Sequence, residues 1–472
     1  MDINKILSFI NGIEDNSNNV GKDFIFFALS GFNTSGEKYI DQAIKNGARY
    51  VVIDQNSNVE IKRDNVKIIK VENPRKFLSQ MLSLYYKEKP ENIVAITGTN
   101  GKTSVVNFYQ QICHLLNFKS ASIGTLGVID SDNQFESKGL PSLTSPSSLE
   151  LNKLLTKLNE KKITHVALEA SSHGIYQHRI DYLNFKAVGF TNFSQDHLDY
   201  HKTLEEYFKA KLRIFSEVLE SGKYAVLNTD IDEFDILNRT CKNRNIRVIE
   251  YGKKAKDLQI LSSSDSEWEV KVFGKIYSLD SKIKGEFQLY NILCSIGLAI
   301  ACELPISSVM NIINRLKAAR GRLELARSYN CAEVYIDYAH TPDSLKTVLQ
   351  TLRKTCGGKL HVLFGCGGQR DVGKRGLMGD IANELADYVI VTDDNPREEN
   401  ANLIRQQILK FCPKGKEVEG RANAIKFAMD SLRDNDILVI AGKGHEDYQL
   451  IGKNKIHFSD FEEVANFNKN IS

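Results

Sequence analysis

Along the chain, short apolar runs break into polar, glycine-bearing turns and alternate with stretches whose apolar residues recur at helical spacing. The runs suit buried strands and the stretches suit amphipathic helices, so the pattern predicts strands alternating with helices. Residues 23–29 and 49–54 read as strands around a helix at 39–46, which Gly47 would end. Further strands are expected at 93–97, 165–169, 187–191 and 224–228, with helices at 104–116 and 204–215. Period-two alternation at 268–277 predicts a hairpin, and helices are expected at 287–302 and 306–318. The last third carries strands at 334–337, 360–364, 389–392 and 436–441.

Such alternation implies largely parallel, doubly wound sheets with helices on both faces. A chain of 472 residues is too long for one core, and about two to three domains are expected. The polar segment 87–92 suits a linker. The expected arrangement is an α/β protein of three domains: a small N-terminal α/β domain at 1–89, a central P-loop-type doubly wound sheet at 90–322 and a C-terminal Rossmann-like domain at 323–472.

Composition narrows the function classes. Hydrophobic residues make up 42% and charged residues 26%, as in ordinary globular proteins. A formal net charge of +3 gives no reason to expect nucleic acid as a partner. No apolar run is long enough for a bilayer, so no membrane partner is expected. The eight cysteines form no C-x-x-C pair, which argues against zinc or a disulfide framework. With no signal-peptide pattern at the start, a reducing cytoplasm is the expected location.

The strongest chemical signal is Thr97-Gly98-Thr99-Asn100-Gly101-Lys102-Thr103-Ser104, between a strand and a helix. Unpaired backbone N–H groups at a helix start collect at the positive end of its dipole and favour phosphate. Glycine allows close approach, Lys102 can reach terminal phosphates, and the Thr103 hydroxyl suits Mg²⁺. The spacing departs from the ordinary P-loop, because Ile96 stands where its first glycine would fall.

Other polar turns follow strands. Residues 167–179 gather Glu169, Ser171, Gln177 and Arg179, a set able to hold Mg²⁺ through the carboxylate and an anion through the rest. A lone histidine is usually no ligand; His197 gains weight from the company of Glu169 and the phosphate loop. Lys211 lies on an amphipathic helix, where a solvated surface lysine is the ordinary expectation. The last third supplies turns at 337–343, 364–371, 393–397 and 441–447, each with charged residues at a strand end, where open α/β sheets bind ligands.

Together the phosphate loop, the 169–179 loop, Asp196-His197-Leu198-Asp199, Gly321-Arg322-Leu323-Glu324, Asp337-Tyr338-Ala339-His340-Thr341-Pro342 and Gly365-Cys366-Gly367-Gly368 resemble the Mur ligases of peptidoglycan synthesis, in order and over nearly the whole chain. The resemblance implies an ATP-dependent amide ligase that phosphorylates a carboxylate and lets an amine attack the acyl phosphate. It implies ATP as co-substrate, Mg²⁺ as cofactor, UDP-N-acetylmuramoyl-L-alanyl-D-glutamate and meso-2,6-diaminopimelate as the other partners, and a monomer. Gly98, Thr99, Asn100, Gly101, Lys102, Thr103 and Ser104 would then bind ATP phosphates, with Asn291 on the adenine, Asp337 on the ribose and Arg322 meeting phosphates on domain closure. Lys102, Glu169, His197 and Lys211 would be catalytic. Thr103, Glu169, His197 and a carbamoylated Lys211 would hold Mg²⁺. Ser17, Thr144, Ser145, Ser171, Gln177 and Arg179 would contact the nucleotide substrate.

Amino-acid choice is expected to rest on Asp394-Asn395-Pro396-Arg397. Family members that add diaminopimelate carry arginine at the fourth position, and Arg397 can grip the extra carboxylate that distinguishes this substrate from lysine. Arg370, Asp394, Asn395, Gly442 and Glu446 would complete the pocket, with Asp394 and Glu446 on the distal ammonium. The chain departs from the family at Asn16-Ser17-Asn18, where Asp-Ser-Arg is common, at Gln288, where asparagine is usual, and at Gln369, where an acid is common. A lysine-adding ligase and a folylpolyglutamate synthase are the rival readings. A nucleotide-dependent switch on the same fold is disfavoured by Lys102, Glu169, His197 and Lys211 occurring together.

Overall fold

The computed structural model describes residues 2–31, 35–59, 65–130, 144–196, 200–264, 267–280, 283–329, 331–369 and 371–467. His197, Leu198, Asp199 and Arg370, singled out above, lie outside the described residues.

Among the described residues, three sheets of four, ten and six strands follow one another along the chain, with a further two-stranded ribbon near the end. In the first, Gly12–Glu14, Phe24–Phe27, Ala48–Asp54 and Lys67–Val71 lie side by side and parallel. Its two inner strands, Phe24–Phe27 and Ala48–Asp54, are largely apolar on both faces because each face is covered. Leu78, Met81 and Leu82 of helix Pro74–Tyr85 pack on one side, and Ile40, Ala43 and Ile44 of Ile40–Lys45 on the other. The unit docks on the next through Leu149, a Ser79–Ser148 hydroxyl pair at 2.9 Å and a Lys153–Glu14 ion pair at 2.7 Å.

Across the central sheet the order is Lys275–Asp280, Glu267–Val272, Leu258–Ser263, Arg247–Gly252, Tyr224–Asn228, Phe185–Phe190, Asn92–Thr97, His165–Glu169, Ser120–Gly124 and Gly127–Asp130. The strands from Leu258–Ser263 to Ser120–Gly124 run parallel. The expected hairpin and the edge strand Gly127–Asp130 pair antiparallel. Helices Lys102–Leu115 and Glu286–Ala301 cover one face, while Ser148–Glu160 and Leu204–Arg213 lie on the other. The helix expected to reach residue 318 is shorter: Ile306–Ile312 passes into a single 3₁₀ turn, Ile313–Arg315. Beyond it, Gln111 clamps Lys317 by donating to its carbonyl at 2.9 Å and accepting from its N–H at 2.9 Å, which satisfies this backbone outside a helix.

The third sheet runs Glu324–Tyr329, Ala332–Asp337, Ile437–Ala441, Leu360–Phe364, Tyr388–Val391, Gly415–Glu417, parallel apart from its first strand. Apolar cores lie on both its faces, as a doubly wound sheet requires. Among the described residues no helix is long and apolar enough to cross a membrane.

Candidate active site

The carboxyl ends of the central strands face the third sheet across a cavity of about 1020 Å³ walled by both. The strand Asn92–Thr97 enters its floor and helix Lys102–Leu115 leaves it. Gly101 caps that helix with φ +86°, and a Cβ there would stand 2.4 Å from Asn291 Oδ1, so both conformation and space call for glycine. Asn192 shapes the loop, accepting from Thr99 N at 2.9 Å with its carbonyl and from Asn100 N at 2.8 Å with its side chain. Ser104 is buried in the first helical turn.

Two lysines converge on one carbonyl. Lys102 Nζ donates to Gly98 O at 2.9 Å and Thr99 O at 2.7 Å, and Lys211 Nζ donates to the same Gly98 O at 2.7 Å. Lys211 is only 1% exposed, so it is not the solvated lysine that its helix would suggest; the last turn of Leu204–Arg213 points it inward over the Tyr207 ring. Burial lowers the pKa of both ammoniums, and at Lys211 the charge of Lys102 adds to the drop, taking it well below the usual lysine range.

Glu169 ends the strand beside the phosphate loop and is 1% exposed. Its carboxylate accepts from Thr125 N at 2.8 Å and the Thr125 hydroxyl at 3.0 Å, and no described ion pair neutralises it. A buried carboxylate held only by neutral donors, in the same cavity wall as the Thr103 hydroxyl, fits a hard divalent cation completed by phosphate and solvent oxygens.

Arg322 reaches into this site from the segment between the sheets. Its Nη2 donates to Thr103 Oγ1 at 3.0 Å and its guanidinium lies 4.2 Å from the Tyr338 ring centre. The neighbouring Gly321 has φ +65°, and a Cβ there would lie 2.4 Å from the Gly444 carbonyl carbon, so linker and turn touch backbone to backbone. Asp337 braces the same segment, accepting from Leu323 N at 2.6 Å and Ala339 N at 2.7 Å; burial raises its pKa while Arg322 opposes the rise. Asn291 lines the cavity and donates to Gln288 Oε1 at 3.0 Å, so the departure at Gln288 supports the asparagine it flanks.

Most residues expected on the nucleotide substrate form one network. Ser145 Oγ donates to Glu169 O at 2.9 Å and lies 3.0 Å from Ser171 Oγ, while Thr144 sits 3.4 Å from the Thr125 hydroxyl. Arg179 donates to Ser145 O at 2.7 Å and to Gln177 Oε1 at 2.8 Å, and burial with the nearby Arg75 charge lowers its pKa. Ser17 is apart from them, buried in a 3₁₀ turn of the first sheet's unit and outside the cavity wall.

Of the residues expected on the amino acid, Asp394, Asn395, Arg397, Gly442 and Glu446 gather at adjoining turns beyond the cavity wall. Asn395 Nδ2 donates to Glu446 Oε2 at 3.0 Å, and Gly442 lies against the Asp394 carboxylate. Arg397 has φ +52° and donates to Gly368 O at 2.8 Å. Tyr338 joins the two regions, its ring lying against the Arg322 guanidinium and 5.3 Å from the His445 ring in the turn that carries Gly442 and Glu446.

Sequence reasoning missed several members. Thr125 follows a strand whose small residues gave no apolar signal. His340, in a quoted motif but given no role, lines the cavity with Nδ1 2.7 Å from Tyr338 O. Lys443, between two glycines of another quoted turn, is fully buried beside Glu446.

Three family models match in order: "Mur ligase family, catalytic domain" over residues 9–86, "Mur ligase middle domain" over 96–299 and "Mur ligase, glutamate ligase domain" over 321–444. Curated relatives named UDP-N-acetylmuramoyl-L-alanyl-D-glutamate–2,6-diaminopimelate ligase include those of Rickettsia typhi, 40% identical over 97% of this chain and 93% of the relative, and Rickettsia prowazekii, 41% identical over 97% and 95%. The Mesorhizobium japonicum protein of that name is 40% identical over 96% of this chain and 94% of its own. A solved structure of a ligase so named superimposes with TM-score 0.68 at 30% identity, covering 97% of this chain and 94% of that one. A folylpolyglutamate synthase from Mycobacterium tuberculosis, complexed with ADP, shares the fold with TM-score 0.66 at 17% identity over 78% of this chain and 92% of its own. By these matches along its length, the chain belongs to the Mur ligase family.

Proposed function

We propose that the chain joins meso-diaminopimelate to UDP-N-acetylmuramoyl-L-alanyl-D-glutamate using ATP. One observation carries the reading: Lys102, Thr103, Glu169, Lys211, Asn291, Arg322 and Asp337, drawn from the central sheet, the linker and the third sheet, all line one cavity of about 1020 Å³. Residues 1–89 then serve the uridine end, 90–322 ATP and 323–472 the amino acid.

A free carboxylate is a poor electrophile. An oxygen of the D-glutamyl side chain attacks the terminal phosphorus of ATP, and ADP leaves. The amine nitrogen of diaminopimelate then attacks the acyl carbon, phosphate leaves, and the nitrogen gives up a proton to solvent or to the departing phosphate. Lys102 and Arg322 place positive charge where the phosphates crowd together, and the loop N–H groups at the helix start orient them. Asn291 faces the adenine, Asp337 keeps lone pairs for ribose hydroxyls, and Thr144, Ser145, Ser171, Gln177 and Arg179 hold the dipeptide nucleotide. Thr103, Glu169 and His197 would hold Mg²⁺, which would supply further charge neutralisation.

The lowered pKa of Lys211 favours the neutral amine, whose nitrogen can bond to the carbon of CO₂ and release a proton. The carbamate so formed would offer Mg²⁺ an anionic oxygen donor where the lysine would otherwise present a cation. Arg397 and Arg370 take the carboxylate at the far end of diaminopimelate, and Asp394, Asn395, Gly442 and Glu446 take its amino group. The enzyme acts as a monomer in the cytoplasm.

The test measures phosphate released from ATP with the dipeptide nucleotide, comparing diaminopimelate with lysine and omitting each reactant in turn. Turnover dependent on all three, with diaminopimelate preferred, supports the reading. Preference for lysine, or no ADP at all, removes it.

A further inference from the structure

Behind the residues proposed to read the amino acid lies a buried cation that this mechanism leaves unused. Lys443 is 0% exposed, in the turn that follows strand Ile437–Ala441. Its Nζ donates to Glu446 Oε2 at 3.1 Å and to Asn395 Oδ1 at 3.4 Å, and Asn395 Nδ2 donates to that same carboxylate oxygen at 3.0 Å. The three side chains close a triangle. Leu450 N also donates to Asn395 Oδ1, at 2.9 Å. Two donors on that side require the amide oxygen there, which turns the NH₂ toward Glu446. Both of these bonds fall on Oε2, and no described residue bonds Oε1. Without the ammonium, a largely buried carboxylate and an amide oxygen would each lose a donor, leaving Glu446 held by Asn395 alone and Asn395 Oδ1 by Leu450 N alone.

We propose that Lys443 is a positioning residue for the amino-acid substrate: it pins Glu446 Oε2 and Asn395 Oδ1, leaving Glu446 Oε1 for the substrate's distal ammonium. This rests on the diaminopimelate-ligase reading, which the wild-type enzyme tests first. Failure of the wild type to couple diaminopimelate sinks that reading, whereas the variants decide the role of Lys443 only in an active enzyme.

In the full-length protein, KM and kcat are measured for ATP, dipeptide nucleotide and diaminopimelate in wild type, Lys443→Met and Lys443→Arg. The expected result is a rise of about tenfold or more in the KM for diaminopimelate alone in Lys443→Met. The other two KM values should stay within about twofold, and Lys443→Arg should recover part of the loss. In a Glu446→Gln background, Lys443→Met should cost less than about threefold, because the two residues act as a unit. An unchanged KM for diaminopimelate, equal rises for all three substrates, or an undiminished effect in the Glu446→Gln background overturns the proposal. Should Lys443→Met not fold, Lys443→Gln, which keeps a donor without charge, carries the same comparison.

Discussion

Arg322 Nη2 donates to Thr103 Oγ1 across 3.0 Å, so the segment leading into the third sheet touches the phosphate loop directly. A guanidinium at that point can move from the hydroxyl to phosphate oxygens without leaving the site. Loss of a charge-assisted contact of this kind costs about 1.5–3 kcal/mol, or roughly 10- to 150-fold in affinity. Arg322→Ala should lower kcat/KM for ATP by that order while leaving the KM for diaminopimelate near its wild-type value, read by ADP formation.

Lys211→Ala should lose about 100-fold or more of turnover, as removal of a ligand that positions the reacting groups does. A short carboxylate such as acetate should restore part of it by lending the missing anionic oxygen. Wild-type enzyme depleted of CO₂ should slow and recover on adding bicarbonate. A fully active Lys211→Ala would refute the carbamate.

For Arg397→Ala the loss should fall on the substrate's far carboxylate. Removing one partner of a desolvated ion pair costs roughly 2–5 kcal/mol, about thirtyfold to several thousandfold in affinity. The KM for diaminopimelate should rise accordingly and discrimination against lysine should shrink. Unaltered kinetics with diaminopimelate would place its recognition elsewhere.

Stability should fall on mild acidification. Burial drives His165, His340 and His445 from 6.5 down to about 4. Between those values the unfolded chain takes up protons that the folded chain refuses, so unfolding becomes easier as pH drops, by at most ~1.4 kcal/mol per pH unit for each histidine. Urea midpoints at pH 7 and pH 5 measure the slope. His165→Gln, away from the cavity, should flatten it by one histidine's share, and an unchanged slope would contradict the burial argument.

Much of this architecture was legible because buried parallel strands are short apolar runs. His165–Glu169, Tyr224–Asn228 and Leu360–Phe364 fall where that pattern put them. Edge strands escaped notice: Glu324–Tyr329 and Gly415–Glu417 are half exposed and carry no such run. At the site, the loop around Lys102 announced itself through glycines at a helix start, a local signal. The inward turn of Lys211 depends on what packs around its helix, and the Thr125–Glu169 pairing joins strands distant in sequence. Neither leaves a mark in local spacing.

The backbone contact between Gly321 and Gly444 bears on the order in which reactants load. With linker and turn touching, any movement of the third sheet would carry Arg322 together with the residues proposed to bind the amine. On the proposed function, closure of that sheet over the bound nucleotide would bring the amine toward the acyl phosphate and shut out the water that would hydrolyse it first.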